Sequence, residues 1–320
     1  MEGTISVLKK NQAPQESSVL IVWMSCNGLK MANLKRRLPD NIPGKFYVDD
    51  TCIDCDACRI LSPACFKEKN QQSVVYRQPL KGSEEIEVLQ ALVACPTSSI
   101  GSTQKVDLKL VEKSFPLQIE DNVLYCGYHS SDSFGAASYF IQREQGNIMI
   151  DSPRFAHPLV ERIKSLGGIR YLILTHRDDV ADHDRFQKMF QCERVMHSSD
   201  FTEDTRNIEI KLEGEMEIQF LPDLLLLPVP GHTRGHIALI YKDKFAFTGD
   251  HLAFSPEKKH LIAFKNACWY SWEETIRSMK KLSHYSFEWI LPGHGRRFHS
   301  GSKEEMRIEM KKCLEWMEID

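Results

Sequence analysis

Long apolar runs are missing from this sequence. The longest, Val19–Met24 and Leu224–Val229, fall far short of the roughly 20 residues that a membrane-crossing helix needs, so no membrane partner is expected. A basic block is missing as well. Lys and Arg number 41 against 44 Asp and Glu, for a formal charge of -3. Without a concentrated positive patch the chain lacks the electrostatic footprint that a phosphate backbone demands, and nucleic acid is not an expected partner. No arginine precedes Arg36, whereas Glu2 and Glu16 are present. Organelle leaders are rich in arginine and poor in acids, so a cytoplasmic location is expected. Low-complexity tracts are absent too, and 320 residues leave room for two domains.

Cysteine is not scarce, but a disulfide framework is. Of ten cysteines, Cys52, Cys55, Cys58, Cys65 and Cys95 fall in one segment. Clustered thiols without a secretory leader point to metal ligation in a reducing compartment. Cys52, Cys55 and Cys58 follow C-x2-C-x2-C spacing, which wraps three thiolates around one corner of a cluster. Cys95, followed by Pro96 and preceded by an expected helix over residues 84–93, supplies the fourth thiolate of a [4Fe-4S] site. Ser62 stands where a second cluster's cysteine belongs, so one cluster is expected, and Cys65 reads as a buried small residue. The segment resembles single-cluster bacterial-type ferredoxins over about residues 46–103.

Farther along, short strands are expected over residues 122–125, 137–143 and 147–150, then a helix over 157–165 closed by Gly167 and Gly168. The apolar run Tyr171–Leu174 leads into His176, Asp178, Asp179, Asp182 and His183. A buried strand that ends in imidazoles and carboxylates suits zinc, iron or manganese. The pattern recurs. A helix over 184–190 and strands at 208–212 and 217–220 precede Leu224–Pro230, which ends at His232. Strands at 237–241 and 244–247 follow, the second ending at Asp250. A helix over 272–284 has Ser271 and Glu274 at capping-box spacing. A last strand over 287–291 ends at His294, and Ser302 with Glu305 starts a terminal helix.

Four strand ends thus present ligands, in the order HRDDVADH, PGHT, TGDH and PGHG. Together they resemble the metallo-β-lactamase fold superfamily over about residues 115–320. The resemblance implies an αββα sandwich with metals at one edge of its two sheets, preceded by a small α+β ferredoxin-like domain. The expected division is a flexible extension over 1–40, the ferredoxin-like [4Fe-4S] domain over 41–107 and the sandwich over 108–320, the last two being separable folding units. The resemblance makes His176 and His232 ligands of a first metal, Asp182, His183 and His294 ligands of a second, and Asp250 a bridge between them. The family loop H-x-H-x-D-H is two residues shorter than the one here, so either a carboxylate, Asp178 ahead of Asp179, fills the position of the second histidine, or the first metal has one ligand fewer. Asp151 resembles an aspartate that supports the metal loop. His236 and His251 are candidates for orienting ligands, and His129 and Arg297 read as polar loop residues. Trp269, Tyr270 and Trp272 read as core packing.

These features imply one [4Fe-4S] cluster, one or two divalent ions (zinc or iron) and a small-molecule substrate. The expected activity is that of a metal-dependent hydrolase acting on an ester, thioester or similar group, with Asp182 or Asp250 accepting a proton from the attacking water. The alternative is an oxidoreductase, in which the cluster passes electrons from a transfer partner to non-haem iron in the sandwich.

Overall fold

The computed structural model describes residues 32–319. The expected extension lies outside them up to residue 31, but 32–40 are tied down. The Asn33 amide donates to Asp49, and the Leu38 amide to the Val48 carbonyl. The cysteine-rich segment follows as β1 (Phe46–Val48), α1 (Ala57–Leu61), β2 (Phe66–Lys69), β3 (Gln72–Val75), α2 (Ser83–Ala94) and β4 (Ile100–Ser102). Its core joins Phe46, Val48, Phe66, Val75, Val88 and Ile100.

After the short α3 (Lys109–Glu112), the chain forms β5 (Leu117–Glu120), β6 (Val123–Tyr125), β7 (Tyr139–Ile141), β8 (Ile148–Ile150), α4 (His157–Ser165), β9 (Tyr171–Ile173), α5 (His183–Phe190), β10 (Glu193–His197) and β11 (Ile210–Leu212). These strands make one sheet in the order β11-β10-β9-β8-β7-β6-β5, parallel from β11 to β8 and antiparallel from there on. A second sheet uses β12 (Ile218–Leu221), β13 (Leu224–Pro228), β14 (Ile237–Tyr241) and β15 (Phe245–Gly249). The hairpin β16 (Ala253–Ser255) and β17 (His260–Ile262) and the helix α6 (Trp272–Leu282) come next. Then β18 (Trp289–Pro292) and β19 (Phe298–His299) complete that sheet, and α7 (Lys303–Ile319) ends the chain.

Side-chain alternation in the second sheet fixes the layers. Successive strand residues point to opposite faces. Leu224, Leu226, Leu239, Phe245 and Phe247 join the first sheet's core, whereas Leu227, Ala238, Ile240 and Ala246 pack with Met279, Leu282, Met306 and Met310 of α6 and α7. On the first sheet, α4 and α5 are crossovers between parallel neighbours, and such crossovers share one hand and one face. With one face of the sheet taken by its partner, Leu159, Val160, Ile163 and Phe186 cover the other. The result is an αββα sandwich. Since β13 and β15 both run antiparallel to β14 and β18 runs parallel to β15, the C-terminal ends of β13, β15 and β18 share one edge.

Candidate metal centre and cluster site

Asp250, beyond the end of β15, is the hub. Its carboxylate lies 3.7 Å from Nε2 of both His176 and His232, and 2.9 Å from Nδ1 of His294. Asp178 Oδ2 is 3.3 Å from His232 Nε2 and 3.9 Å from His176 Nε2. Ligand atoms held about 2.1 Å from one tetrahedral ion are spaced by about 3.4 Å, so these separations suit a shared cation. Two triads have donor atoms within 4.8 Å of one another: His176, Asp178 and His232, and His176, Asp179 and Asp250.

The donors are also left without partners. His176 Nε2, His232 Nε2, His294 Nε2, Asp178 Oδ2 and both Asp179 carboxylate oxygens are buried and make no hydrogen bond. Such groups are costly unless something satisfies them. Charge tells the same story. Burial opposes ionisation throughout, yet Asp179 and Asp250 lift His176 to about 10, and Asp250 lifts His294 to about 10. Asp250 is held well below the carboxylate range by His294 and His176 in spite of its burial. Asp179 is pushed well up, by burial and then by Asp250. Protons thus occupy positions where cation charge would balance the carboxylates, and the donor set fits a metal.

Two expected ligands face elsewhere. Asp182 sits at the N-cap position of α5, and its carboxylate accepts from the Phe155 amide at 2.7 Å and pairs with Arg185. His183 opens the same helix, buried on its inner side, where Nδ1 meets Arg194 at 3.1 Å. The physical reason is that the two extra residues of the loop are taken up before the helix begins. The chain turns at Ala181 (φ 28), and Asp179, 1% exposed, is the residue swung into the site. Gly293 makes this possible, because a Cβ there would lie 2.5 Å from Asp179 Oδ2 and 2.9 Å from Asp250 Oδ1.

Supporting groups surround these residues. Asp151 accepts from the Thr175 amide and hydroxyl, and that hydroxyl lies 2.9 Å from His176 Nδ1. Burial raises Asp151 to about 7. His236 Nε2 accepts from the Asp250 amide and its ring stacks on His176, so it orients ligands rather than adding one. His251 is fully buried with both ring nitrogens unpartnered. Sequence reading missed Asp200. Beyond the end of β10, it accepts from the Arg177 amide, the Thr233 hydroxyl and the Gly235 amide, and so clamps two ligand loops together. A further polar strand end with a carboxylate, HSSD, was the available signal. Trp269 and Tyr270 are 61% and 49% exposed and are not core. Trp269 flanks His232, with ring centroids 6.2 Å apart, and Trp272, which opens α6, is partly buried against the core between the second sheet and its helices.

In the cysteine-rich segment, Cys52, Cys55, Cys58 and Cys95 line one small cavity, with Cys65 outside it and fully buried. The Ser73 and Ser99 amides donate to the sulfurs of Cys52 and Cys95, each at 3.3 Å. Burial, reinforced by Cys95 and Cys52, pushes Cys55 up to about 12. Four converging thiols with amide donors aimed at sulfur fit an iron–sulfur cluster, whose irons would hold them as thiolates.

Comparison with known proteins agrees. Residues 48–102 match the 4Fe-4S single cluster domain of ferredoxin I. Ferredoxin-1 of Desulfocurvibacter africanus is 35% identical over 57 residues, which span 88% of that protein and 18% of this chain. Here the chain belongs to the single-cluster ferredoxin family. Solved structures similar to the sandwich include DIM-1 metallo-β-lactamase (16% identity, 61% of this chain and 95% of that one, TM-score 0.48) and a metallo-β-lactamase from Pontibacter korlensis (16%, 61% and 97%, TM-score 0.45). An archaeal metallo-β-lactamase superfamily protein from Sulfolobus tokodaii is 19% identical (55% and 79%, TM-score 0.41). Among the described residues, no helix is long and apolar enough to cross a membrane.

The ferredoxin segment packs directly on the sandwich. Val93 and Ala94 of α2 enter the core of the first sheet. The His129 amide donates to the Ala94 carbonyl, and Arg154 donates to the Val93 carbonyl. Gly135 (φ 83) lies against Cys55, where a Cβ would come within 2.5 Å of the cysteine's own. Its neighbour Phe134 faces His294, with ring centroids 6.3 Å apart.

Proposed function

We propose that the protein is a metal-dependent hydrolase that carries an iron–sulfur cluster and acts on a small ester, thioester or similar substrate. The observation that supports this reading is the ring of buried, unpartnered donors around Asp250. His176, Asp178 and His232 would hold one cation, and Asp179, Asp250 and His294 a second. When bound, such cations draw a nucleophile from water at neutral pH and polarise the attacked group. Asp178 lies at the open side of the site, its side chain 42% exposed. His232, 3.3 Å away, keeps its carboxyl below the usual range in spite of partial burial, so it stays ionised and able to accept a proton. Trp269 offers an apolar wall to the substrate beside His232.

A second reading, electron transfer from the cluster to non-haem iron, is favoured by one observation. The adjacent residues Gly135 and Phe134 lie against Cys55 and His294 respectively, and so link the two sites. Three carboxylates among six donors also suit iron better than a site of histidines alone. Metal and acid-labile sulfide analysis of anaerobically purified protein, followed by ester and thioester hydrolysis assays, separates the two. Cluster iron plus zinc, with hydrolysis abolished by a chelator that spares the cluster, is expected. Iron in excess of the cluster, without hydrolysis, would replace this reading with the redox one.

A further inference from the structure

One polar contact between the ferredoxin segment and the sandwich lies beside a metal-site residue, His294. Two residues beyond it, the Arg296 guanidinium grips Asp56 with two bonds, Nε to Oδ2 at 2.8 Å and an Nη to Oδ1 at 3.1 Å. Asp56 lies between Cys55 and Cys58. One residue before His294, the Gly293 carbonyl accepts from the Ala137 amide at 2.7 Å, in the same stretch whose Gly135 lies against Cys55. We propose that Asp56 and Arg296 are positioning residues through which cluster occupancy sets the affinity of the metal centre. This rests on the metal-binding reading above, and not on hydrolysis.

The cluster loop has reason to change when its cofactor leaves. Asp54 and Asp56 hold φ values of 60 and 63, a backbone region that L side chains adopt seldom, though aspartate more readily than most. Three of the four cluster cysteines, Cys52, Cys55 and Cys58, flank these two residues. Arg59 of α1 also bonds Asp54 and Asp56, and so shares the Asp56 carboxylate with Arg296. Without a cluster the thiols lose their common partner, the loop relaxes toward Arg59, and Arg296 is released. The chain path beyond His294 survives this, because Arg296 also pairs through its backbone with Phe254. What changes is the aim of His294 at Asp250. Conversely, a cation that fixes His294 holds Arg296 against Asp56, since coupling between two sites is reciprocal.

The test is zinc affinity by chelator competition on the full chain, with the cluster present and after its removal, in wild type and in Arg296→Gln. Removal should weaken zinc binding in wild type at least about fivefold, the lower range of coupling between sites. Arg296→Gln, with its cluster absorbance intact, should bind zinc as weakly as the cluster-free wild type and show no further loss on removal. Arg296→Lys, which keeps the charge but not the paired bonds, should fall between. If Arg296→Gln lost its cluster on purification, Asp56→Asn would be measured in its place, with the same expectation. Equal zinc affinity with and without the cluster in wild type overturns the proposal, as does coupling that persists in full in the variants. Absence of zinc binding in every state overturns the metal-binding reading along with it.

Discussion

Both carboxylate oxygens of Asp179 lack a hydrogen-bond partner although the residue is almost fully buried. An isolated buried carboxylate has no reason to persist unless a cation completes it. Asp182 has no such need, because the Phe155 amide and Arg185 already satisfy it. The two residues should therefore separate cleanly in a metal titration. Asp179→Ala is expected to weaken metal binding at least about tenfold, in the range seen when ligation or its support is lost. Asp178→Ala should do the same at the first triad. Asp182→Ala should leave affinity within about twofold while lowering stability by about 1–2 kcal/mol, because the Phe155 amide loses its acceptor. Equal affinity losses in Asp179→Ala and Asp182→Ala would return the site to the expected Asp182 and His183 ligands.

At the scale of elements, the strands and helices were largely legible, and the ligand loops at their ends with them. The capping boxes place Ser271 and Ser302 correctly, since each accepts from the amide three residues on. The apolar run at 224–230 supplies the buried strand β13 (Leu224–Pro228), as its short apolar text implies. What local text did not settle was rotation. His183, Phe186 and Phe190 are spaced as one helix face, and including His183 in α5 turns its ring toward Arg194 and out of the site. That both Asp178 and Asp179 reach the site was not legible locally, and a distant contact, the Ser152 amide bonding the Asp179 carbonyl, helps to fix the loop. The stretch 126–137 was equally opaque, because it forms no regular strand or long helix, and the His129 side chain is held within it by nearby partners. His129 is 2% exposed, Nδ1 donates to the Gly135 carbonyl at 2.5 Å and Nε2 meets the Tyr125 hydroxyl. Burial presses its imidazole down to about 4. The unfolded chain, at its ordinary pKa near 6.5, takes up a proton that the folded chain refuses, so this contribution to stability is full above about pH 6.5 and is lost as pH falls toward 4. From pH 7 to 5 that amounts to about 2 kcal/mol. Denaturant unfolding at both pH values should show wild type losing about that much more than His129→Gln. An identical acid loss in the two proteins would mean that another group sets it.

Over the whole molecule, the cluster and metal ligand sets divide cleanly along the chain near residue 107, and on that ground two separable units were expected. Packing crosses that line. Val93 and Ala94 of α2, and Val111 next to α3's end, belong to the same core as Phe115, Tyr128 and the first sheet. Leu89, Leu92 and Leu108 press on it from the ferredoxin side. A chain that begins at residue 112 forfeits all of these and leaves the Arg154 guanidinium and the His129 amide without their acceptors at Val93 and Ala94. Losing one buried valine costs about 1.5–3 kcal/mol, and an orphaned buried donor adds about 1–3 kcal/mol. Against a total stability of about 5–15 kcal/mol, the sum is a large fraction. The truncated sandwich should unfold on the order of 10 °C below the corresponding transition of the full chain, given about 2–4 °C per kcal/mol at this size. It should also bind metal more weakly, since Gly135 and Arg296 lose the surface that steadies His294. Calorimetry and zinc titration of the fragment decide the matter. An unchanged midpoint with unchanged affinity would mean that the ferredoxin segment merely rests on a sandwich complete without it.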